Sequence, residues 1–362
     1  MMNKFNYYKS FLITSIILSL FGLYMVTSSS MIWSEFLYDD KFYYAKKQLL
    51  FVVIGFVILF IFSKLNIEKL KKYSKKLLII GFILLALVLI PGLGVVRGGS
   101  RSWFGIGSFA FQPAELFKYI IIVYVASKLD DSYFDTKYFF KGIVPIMLPC
   151  LIGFALIMLQ PDLGTGIVIV LSIVILTFIS RAKLSNYVKI GLIGLSAGCL
   201  LILSAPYRLS RIEAFINPFL DPLGSGFQTI QSLYAIGPGG LIGVGIDQSI
   251  QKHFFLPEPQ TDFIFAIICE EFGFIGASLF IFLFIFFLYS GYKIALKQDT
   301  LYRTFLVFGF VILITVQTLI NLSVVVGLIP VTGITLPFIS YGGSSQIILM
   351  MMVGTVYATK TL

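Results

Sequence analysis

Long apolar runs alternate with short polar segments along the whole chain. A run of about 20 apolar residues is long enough for one helix to cross the hydrocarbon core of a bilayer. The pattern predicts about ten such helices, and an even number leaves both termini on one side of the membrane. The predicted spans are 11–30, 48–64, 76–95, 113–128, 142–160, 163–180, 187–205, 263–290, 303–328 and 344–360.

Two longer segments, 92–112 and 206–262, are too polar to be ordinary spans. Both mix Gly, Pro and polar residues with aromatics, so part of each could re-enter the membrane. A connection as long as the second, between predicted spans 7 and 8, is usually functional or disordered, and its aromatics argue against disorder. The chain 1–362 is therefore predicted to be a single polytopic membrane domain of the all-α class, whose active site comes from these two outer segments.

The composition supports this fold class and excludes most others. Hydrophobic residues make up 58% of the chain and charged residues only 12%, whereas soluble globular domains carry about 25% charged residues. The mean hydropathy is +0.96. Disordered, collagen-like, coiled-coil and disulfide-scaffold classes are also excluded. We interpret the three cysteines as small packing residues rather than redox or metal ligands.

We interpret the formal net charge of +10 first as a signal of membrane orientation. With the N-terminus inside, most Lys and Arg residues fall in cytoplasmic loops and most Asp and Glu residues fall outside, as the positive-inside rule requires. No groove-sized element accompanies the lysines at 69–76, so we do not interpret them as a nucleic-acid site. The first apolar run is too long for an ordinary signal peptide, and we expect it to remain a membrane helix.

Polar residues concentrate in the outer segments. The first cluster, at 97–104 and 112–118, places Arg97 and Arg101 in a Gly/Ser loop and puts Lys118 one turn into a helix that begins at Pro113. Two interpretations remain equally open: a site for a pyrophosphate or sugar-lipid headgroup, or ordinary interfacial arginines in an aromatic belt. At 160–165, Asp162 precedes an apolar run, and capping of that helix is the simpler interpretation.

Asp262 attracts the most interest in the long outer segment. We predict it in the first turn of a helix, where the helix dipole favours its ionised form and partial burial favours the neutral form. A carboxylate balanced in this way could act as a general base, but an aspartate at a helix start needs no chemistry to explain it. His253, the only histidine, is expected to be an exposed loop residue. Of Glu270 and Glu271, at least one should face the protein interior and be paired.

The segment 327–345 carries no charge and contains two prolines and four glycines, which forbid a continuous helix. Backbone of this kind is allowed at membrane depth only inside protein or against a water-filled cavity. Its free amide groups could then bind a sugar or a phosphate.

These motifs resemble the SEDS family of peptidoglycan glycosyltransferases, which includes FtsW, RodA and SpoVE. The sequences PEPQTDF at 257–263 and FISYGGSS at 338–345 are the most specific. The sequence at 332–337 resembles the FtsW/SpoVE division and sporulation branch more than RodA. The matching stretches follow the family order: 100–118, 160–165, 217–245, 256–273 and 327–345.

The resemblance implies a polymerase that uses lipid II, a disaccharide-pentapeptide on undecaprenyl pyrophosphate, at the outer face of the bacterial cytoplasmic membrane. Asp262 would be the catalytic base of an inverting glycosyl transfer. Such proteins usually act with a class B penicillin-binding protein, a transpeptidase. The residues predicted to bind substrate are Arg101, Lys118, Arg211, Glu258 and Ser344. The sequence specifies no cofactor and no dedicated metal cage, although a divalent metal assisted by Glu258 or Asp162 is possible.

Two other functions remain open. A lipid II flippase without catalysis would also use broken helices and interior polar residues. The concentration of polar motifs at the outer end favours an enzyme, since a transport path needs polar groups along its whole length. A scaffold that only recruits the transpeptidase would not need these clusters.

Overall fold

The computed structural model describes residues 6–106, 109–131, 135–180, 183–203 and 206–360. This part of the chain is mainly helical, which confirms the all-α membrane class, and it also contains one small β-sheet. The helices are α1 Tyr7–Tyr38, α2 Tyr43–Ser63, α3 Ile67–Leu87, α4 Pro113–Leu129, α5 Val144–Met158, α6 Leu163–Ile179, α7 Leu184–Leu203, α8 Pro206–Ile216, α9 Phe227–Gly239, α10 Ile264–Ala295, α11 Leu301–Val325 and α12 Gly343–Ala358.

Each predicted span overlaps one of these helices. Five helical stretches of the described chain are long and apolar enough to cross a membrane, and α6, α7 and α12 contribute shorter apolar stretches. The multi-span character is thus confirmed, while the count of ten spans stays a prediction. The third span was predicted too late in the chain, because α3 begins at Ile67 and ends at Leu87.

Local sequence signals set where several helices begin. The side chains of Asn6, Asn66 and Thr300 accept hydrogen bonds from backbone N–H groups in the first turns of α1, α3 and α11. Pro113 opens α4 as predicted, since its missing N–H is not needed in a first turn.

The first and last described helices have their chain-terminal ends, at Tyr8 and Thr359, at the same end of the helix bundle. The Tyr8 hydroxyl near the start of α1 lies 3.3 Å from Thr359 Oγ1 just after α12. Gln298, between α10 and α11, donates a 2.8 Å hydrogen bond to the same tyrosine. This arrangement agrees with an even number of membrane crossings, and we predict that this end is cytoplasmic.

The described residues of the outer segment 92–112 form a small antiparallel sheet. Strands β1 Gly94–Arg97, β2 Ser100–Ile106 and β3 Phe109–Phe111 pair in that order. Gly98 and Gly99 form the turn between the first two strands, and both have positive φ. The Ser100 hydroxyl donates to the Gln160 carbonyl oxygen, which ties the sheet to the connection between α5 and α6.

The long outer segment contains α8 and α9, and after α9 it packs into a break in α10. Helix α10 is broken at Gly273, where φ is +64°. The carbonyls of Glu270 and Glu271 accept hydrogen bonds from Val244 N and Gly245 N, at 2.9 and 3.2 Å. The amides of Phe274 and Ile275 donate to Gly240 O and Leu241 O, at 2.9 and 3.0 Å. Residues 240–245, the inserted segment, therefore satisfy the backbone groups that the break exposes.

A buried ion cluster fixes the same region. The Lys252 ammonium bonds to the Asp247 carboxylate, lies 3.2 Å from Glu271 Oε1 and lies 3.4 Å from Ser28 Oγ on α1. Glu270 accepts hydrogen bonds from the Ser249 hydroxyl and the Ile250 amide. Both glutamates are buried and paired, which confirms the expectation for Glu270 and Glu271.

The segment 327–342, between α11 and α12, is non-helical, as predicted; its residues 336–340 lie inside the protein, whereas Leu328 is 68% exposed. Leu336, Phe338 and Ile339 are fully buried. Gly22 of α1 packs so closely on this segment that a Cβ there would lie 2.1 Å from the Phe338 carbonyl oxygen. We call 327–342 the core loop.

Candidate active site

Asp262 lies just outside α10 rather than in its first turn. The helix begins at Ile264, and its N-cap residue Phe263 has no side-chain capping bond. The Asp262 carboxylate is half-buried, and Oδ1 lies 2.8 Å from the Thr261 hydroxyl. The prediction of a first-turn position was therefore wrong by two residues, and helix capping does not account for this aspartate.

The surroundings of Asp262 favour its neutral form on balance. Burial raises its pKa, while the hydrogen bond from Thr261 and the positive charge of Arg211 hold the rise back. Burial also raises the pKa of Glu258, and the negative charge of Asp262 raises it further. A carboxyl group whose pKa lies above its usual range is suited to accepting a proton near neutral pH.

Arg211 comes from α8 and reaches the same place. Its Nη1 donates a 3.2 Å hydrogen bond to the Val331 carbonyl of the core loop. Glu258 lies four residues before Asp262 in the strained left-handed backbone region, with φ at +44°. The structure thus brings Asp262, Glu258 and Arg211 together, and we call these three residues the base cluster.

The core loop holds the backbone around Asp262. The Ser340 hydroxyl donates to the Thr261 carbonyl at 2.6 Å, and Tyr341 N donates to the Gln260 carbonyl at 2.8 Å. Asn321 of α11 donates to the carbonyl of Asp262 itself at 2.7 Å. Sequence reasoning missed Asn321, although a buried amide within a predicted span is a signal of its own.

A second polar group surrounds Lys118. Its ammonium lies 2.8 Å from Glu115 Oε1 and donates a 2.9 Å hydrogen bond to Gln317 Oε1. The Lys118 side chain is only 3% exposed. Asp162 caps α6 by accepting from Thr165 N at 3.1 Å, as predicted, and Oδ2 accepts from Gln112 Nε2 at 3.0 Å. We call Gln112, Glu115, Lys118, Asp162 and Gln317 the lysine cluster.

Burial raises the pKa of Asp162, and the positive charge of Lys118 opposes that rise. The two residues are therefore electrostatic neighbours, although they lie on different helices.

Ser344 and Arg101 lie nearer the sheet. Ser344 Oγ accepts from Gln112 N at 3.0 Å and donates to the Ala110 carbonyl at 3.2 Å, so this hydroxyl already joins α12 to the sheet. Arg101 is half-buried on β2 opposite Val96, and no carboxylate in the described part of the chain forms an ion pair with it. Their predicted roles in binding substrate stay predictions.

Two further features bear on ligands. Within the described ranges, no group of three or more His, Cys, Asp or Glu side chains converges on a metal position. An apolar cavity of about 150 Å³ lies beside Ser344, lined by residues that include Phe51, Phe104, Phe111 and Ile348.

His253 is exposed, as expected.

Three comparisons place the chain among known proteins. It is 50% identical over 342 residues to the stage V sporulation protein E of Bacillus subtilis (strain 168), covering 94% of this chain and 93% of that protein. It is 40% identical over 330 residues to the probable peptidoglycan glycosyltransferase FtsW of Saccharophagus degradans, covering 90% and 85%. A chain in a solved peptidoglycan synthase complex superposes with a TM-score of 0.77 at 29% identity, covering 96% of both chains.

The family match extends over nearly the whole sequence. Residues 8–361 match the cell cycle proteins that comprise FtsW, RodA and SpoVE. The range includes the base cluster, the lysine cluster and the core loop. This chain therefore belongs to the FtsW/RodA/SpoVE family.

Proposed function

We propose that this protein is a peptidoglycan glycosyltransferase that polymerises lipid II at the outer face of the cytoplasmic membrane, in cell division or sporulation. Its family membership supports the enzyme class, since the FtsW relative is named as a probable peptidoglycan glycosyltransferase. The identity to a sporulation protein and to FtsW supports the division and sporulation branch.

The observation that carries this proposal is the setting of Asp262. Its carboxylate is half-buried, has a raised pKa, lies beside Arg211 and is held through its own backbone by α11 and the core loop. A general base needs a pKa near the working pH and a fixed position next to the proton it removes. A helix cap needs neither.

The proposed reaction consists of one proton transfer and one exchange of the bond at C1 of the donor. Asp262 removes the proton from the 4-hydroxyl of the GlcNAc unit of the acceptor. The oxygen attacks C1 of the MurNAc unit of the donor, and the bond from C1 to the lipid pyrophosphate breaks. The anomeric carbon inverts, the proton stays on Asp262 until solvent takes it, and the pyrophosphate leaves with the electron pair.

The departing pyrophosphate gains negative charge, which nearby cations stabilise. Arg211 bonds to the core loop at the Val331 carbonyl, Lys118 is joined to it through Gln317, and Arg101 lies on β2 of the sheet. Glu258 would help to orient the acceptor, and the Ser344 hydroxyl would lie near the start of the lipid.

The protein would act with a transpeptidase of the class B penicillin-binding type. The structural relative belongs to a complex that coordinates polymerization and crosslinking. A polymerase that makes uncrosslinked strands needs such a partner for its product to become part of the wall.

The test is polymerisation of fluorescently labelled lipid II by the purified protein together with its transpeptidase, comparing native protein with Asp262→Asn. Asparagine keeps the shape and can accept the Thr261 hydrogen bond, but it cannot take up the proton. We expect the rate to fall by on the order of 10²- to 10⁴-fold. Asp39→Asn is the matched control, because Asp39 is an exposed outer-loop residue whose positive φ suits asparagine.

Each outcome decides between functions. Equal polymerisation by native protein and Asp262→Asn would remove Asp262 from the chemistry. If neither polymerises while native protein moves labelled lipid II across vesicle membranes, the flippase replaces the enzyme. The location of the polar clusters at one end of the bundle favours the enzyme, because a transport path needs polar groups at every depth.

A further inference from the structure

Helix α11 carries two buried carboxamides one turn apart, Gln317 and Asn321. Each is only 1% exposed. Residues four apart on a helix share a face, and both amides point at the core loop. Gln317 Nε2 donates to the Thr335 carbonyl at 3.0 Å, and Asn321 Nδ2 donates to the Ile334 carbonyl at 2.7 Å.

The two amides therefore bond to consecutive carbonyls of the core loop, at a point where its backbone is not helical. Buried backbone carbonyls need partners, and non-helical backbone inside a membrane protein must obtain them from side chains or other segments. This contact alone would be a structural role. The other hydrogen bonds of the two amides reach residues of the candidate site.

Asn321 also bonds to the base cluster, and Gln317 also bonds to the lysine cluster. The second Nδ2 proton of Asn321 goes to the carbonyl of Asp262 at 2.7 Å. The Oε1 atom of Gln317 accepts from the Lys118 ammonium at 2.9 Å. One face of α11 thus connects the base cluster, the core loop and the lysine cluster.

Asn321 shows a further sign of a specialised position. Both protons of its amide are used, but its Oδ1 atom is buried without a hydrogen-bond partner among the described residues. An unpaired buried acceptor is unfavourable for folding. Two carbonyl oxygens at 2.7 Å fix which side of the amide carries the nitrogen, so the orientation is determined by the contacts.

We propose that Asn321 is a positioning residue for Asp262, and that with Gln317 it sets the distance between the base and the cation at Lys118. This rests on the proposed function, in which Asp262 and Lys118 act on opposite ends of the bond exchange. Asn321 touches no reacting atom. It acts by fixing the backbone from which the Asp262 side chain projects.

The test compares Asn321→Leu with Thr318→Val in the complex with the transpeptidase. Leucine has a similar volume and no donor, so both bridging bonds are lost. Thr318 is a buried residue on the same helix, and among the described residues its hydroxyl bonds only to Ile314 O, at 2.8 Å. Both variants delete a buried hydrogen bond, but only the first touches the site.

Two measurements are made on each variant. The first is kcat and KM for labelled lipid II. The second is hydrogen–deuterium exchange of the backbone at 260–263 and 334–341. For Asn321→Leu we expect kcat to fall by on the order of 10- to 100-fold, as for a small misplacement of a catalytic group. We expect KM to change little and exchange to rise in these two stretches, and Thr318→Val should show none of these effects.

The outcomes separate this inference from the proposed function. If exchange at 260–263 and kcat are both unchanged in Asn321→Leu, or if Thr318→Val loses as much kcat as Asn321→Leu, positioning is overturned. If native protein does not polymerise lipid II, the proposed function fails. A selective rise in exchange at 260–263 would still uphold the positioning of Asp262 in that case.

Discussion

At the scale of single residues, the acidity of Asp262 depends on a balance between burial and the groups that favour its carboxylate form. Burial raises the pKa, and the hydrogen bond from Thr261 and the positive charge of Arg211 hold the rise back. The carboxylate must be ionised to accept a proton, so activity should fall as the pH drops through the raised pKa. The acid limb of the rate profile therefore lies above the usual aspartate value of about 3.9.

The balance can be shifted with one substitution. In Arg211→Gln, loss of the positive charge destabilises the carboxylate, which raises the pKa of Asp262 and moves the acid limb to higher pH. The measurement is the rate of lipid II polymerisation against pH for native protein, Arg211→Gln and Arg208→Gln, a control from the same helix. A limb that stays in place when Arg211 is replaced would contradict the electrostatic argument.

Sequence reasoning was most successful where a residue type and its neighbours carry the information. The cap at Asp162 follows from an aspartate before an apolar run, and the start of α4 follows from Pro113. The support of Asp262 could not be predicted, because Ser340 and Asn321 reach it from far along the chain. Long-range contacts of this kind leave no periodic signal.

At the scale of elements, the inserted segment depends on glycine. Gly243 has φ at +85°, and a Cβ there would lie 2.1 Å from the Glu271 carbonyl oxygen. Positive φ permits few residues other than glycine. The close approach of two backbones excludes any side chain on this face.

Gly243→Ala should therefore displace the inserted segment from α10. The strain at positive φ costs roughly 1–3 kcal/mol, and the contact with the carbonyl adds to this. The measurement is the apparent unfolding temperature in detergent, with Gly98→Ala as control, because Gly98 also has positive φ but has no atom within 4 Å of the added Cβ. Equal destabilisation of the two variants would mean that only the backbone angle matters.

The helices were predicted better than the sheet. Apolar runs of span length locate helices well, since the membrane permits few alternatives. The sheet was missed although the Gly98-Gly99 dipeptide between Val95-Val96 and Trp103-Phe104 is a hairpin signal. The start of α3 was also missed, because its first turns carry lysines outside the apolar run.

At the scale of the whole molecule, the ion cluster around Lys252 joins α1, the long outer segment and α10. The Lys252 and Glu271 side chains are almost completely buried, and only Asp247 has access to water, with 56% of its side chain exposed. A buried charge without its partner is strongly unfavourable. The structure therefore commits Lys252 to this cluster.

Lys252→Met should destabilise the protein by about 3–5 kcal/mol, because Glu271 is left as an unpaired buried carboxylate. Adding Glu271→Gln should recover part of this loss. The measurement is thermal unfolding of the single and double variants, with Lys46→Met as control, since the Lys46–Asp40 pair is exposed and its loss should have little effect on stability. No recovery in the double variant would show that lysine packing, rather than charge pairing, stabilises this region.

The hydrogen bonds between the inserted segment and α10 also restrict how the length of this protein can vary. Four backbone pairs join 240–245 to the two halves of α10 in a fixed register. One added or deleted residue there would shift every pair at once. The turn at 221–225 has no such register, since Leu223 is 88% exposed and the turn is closed by its own Asp221 and Ser225. Insertions and deletions in the outer segment should therefore collect at that turn and be absent from the inserted segment.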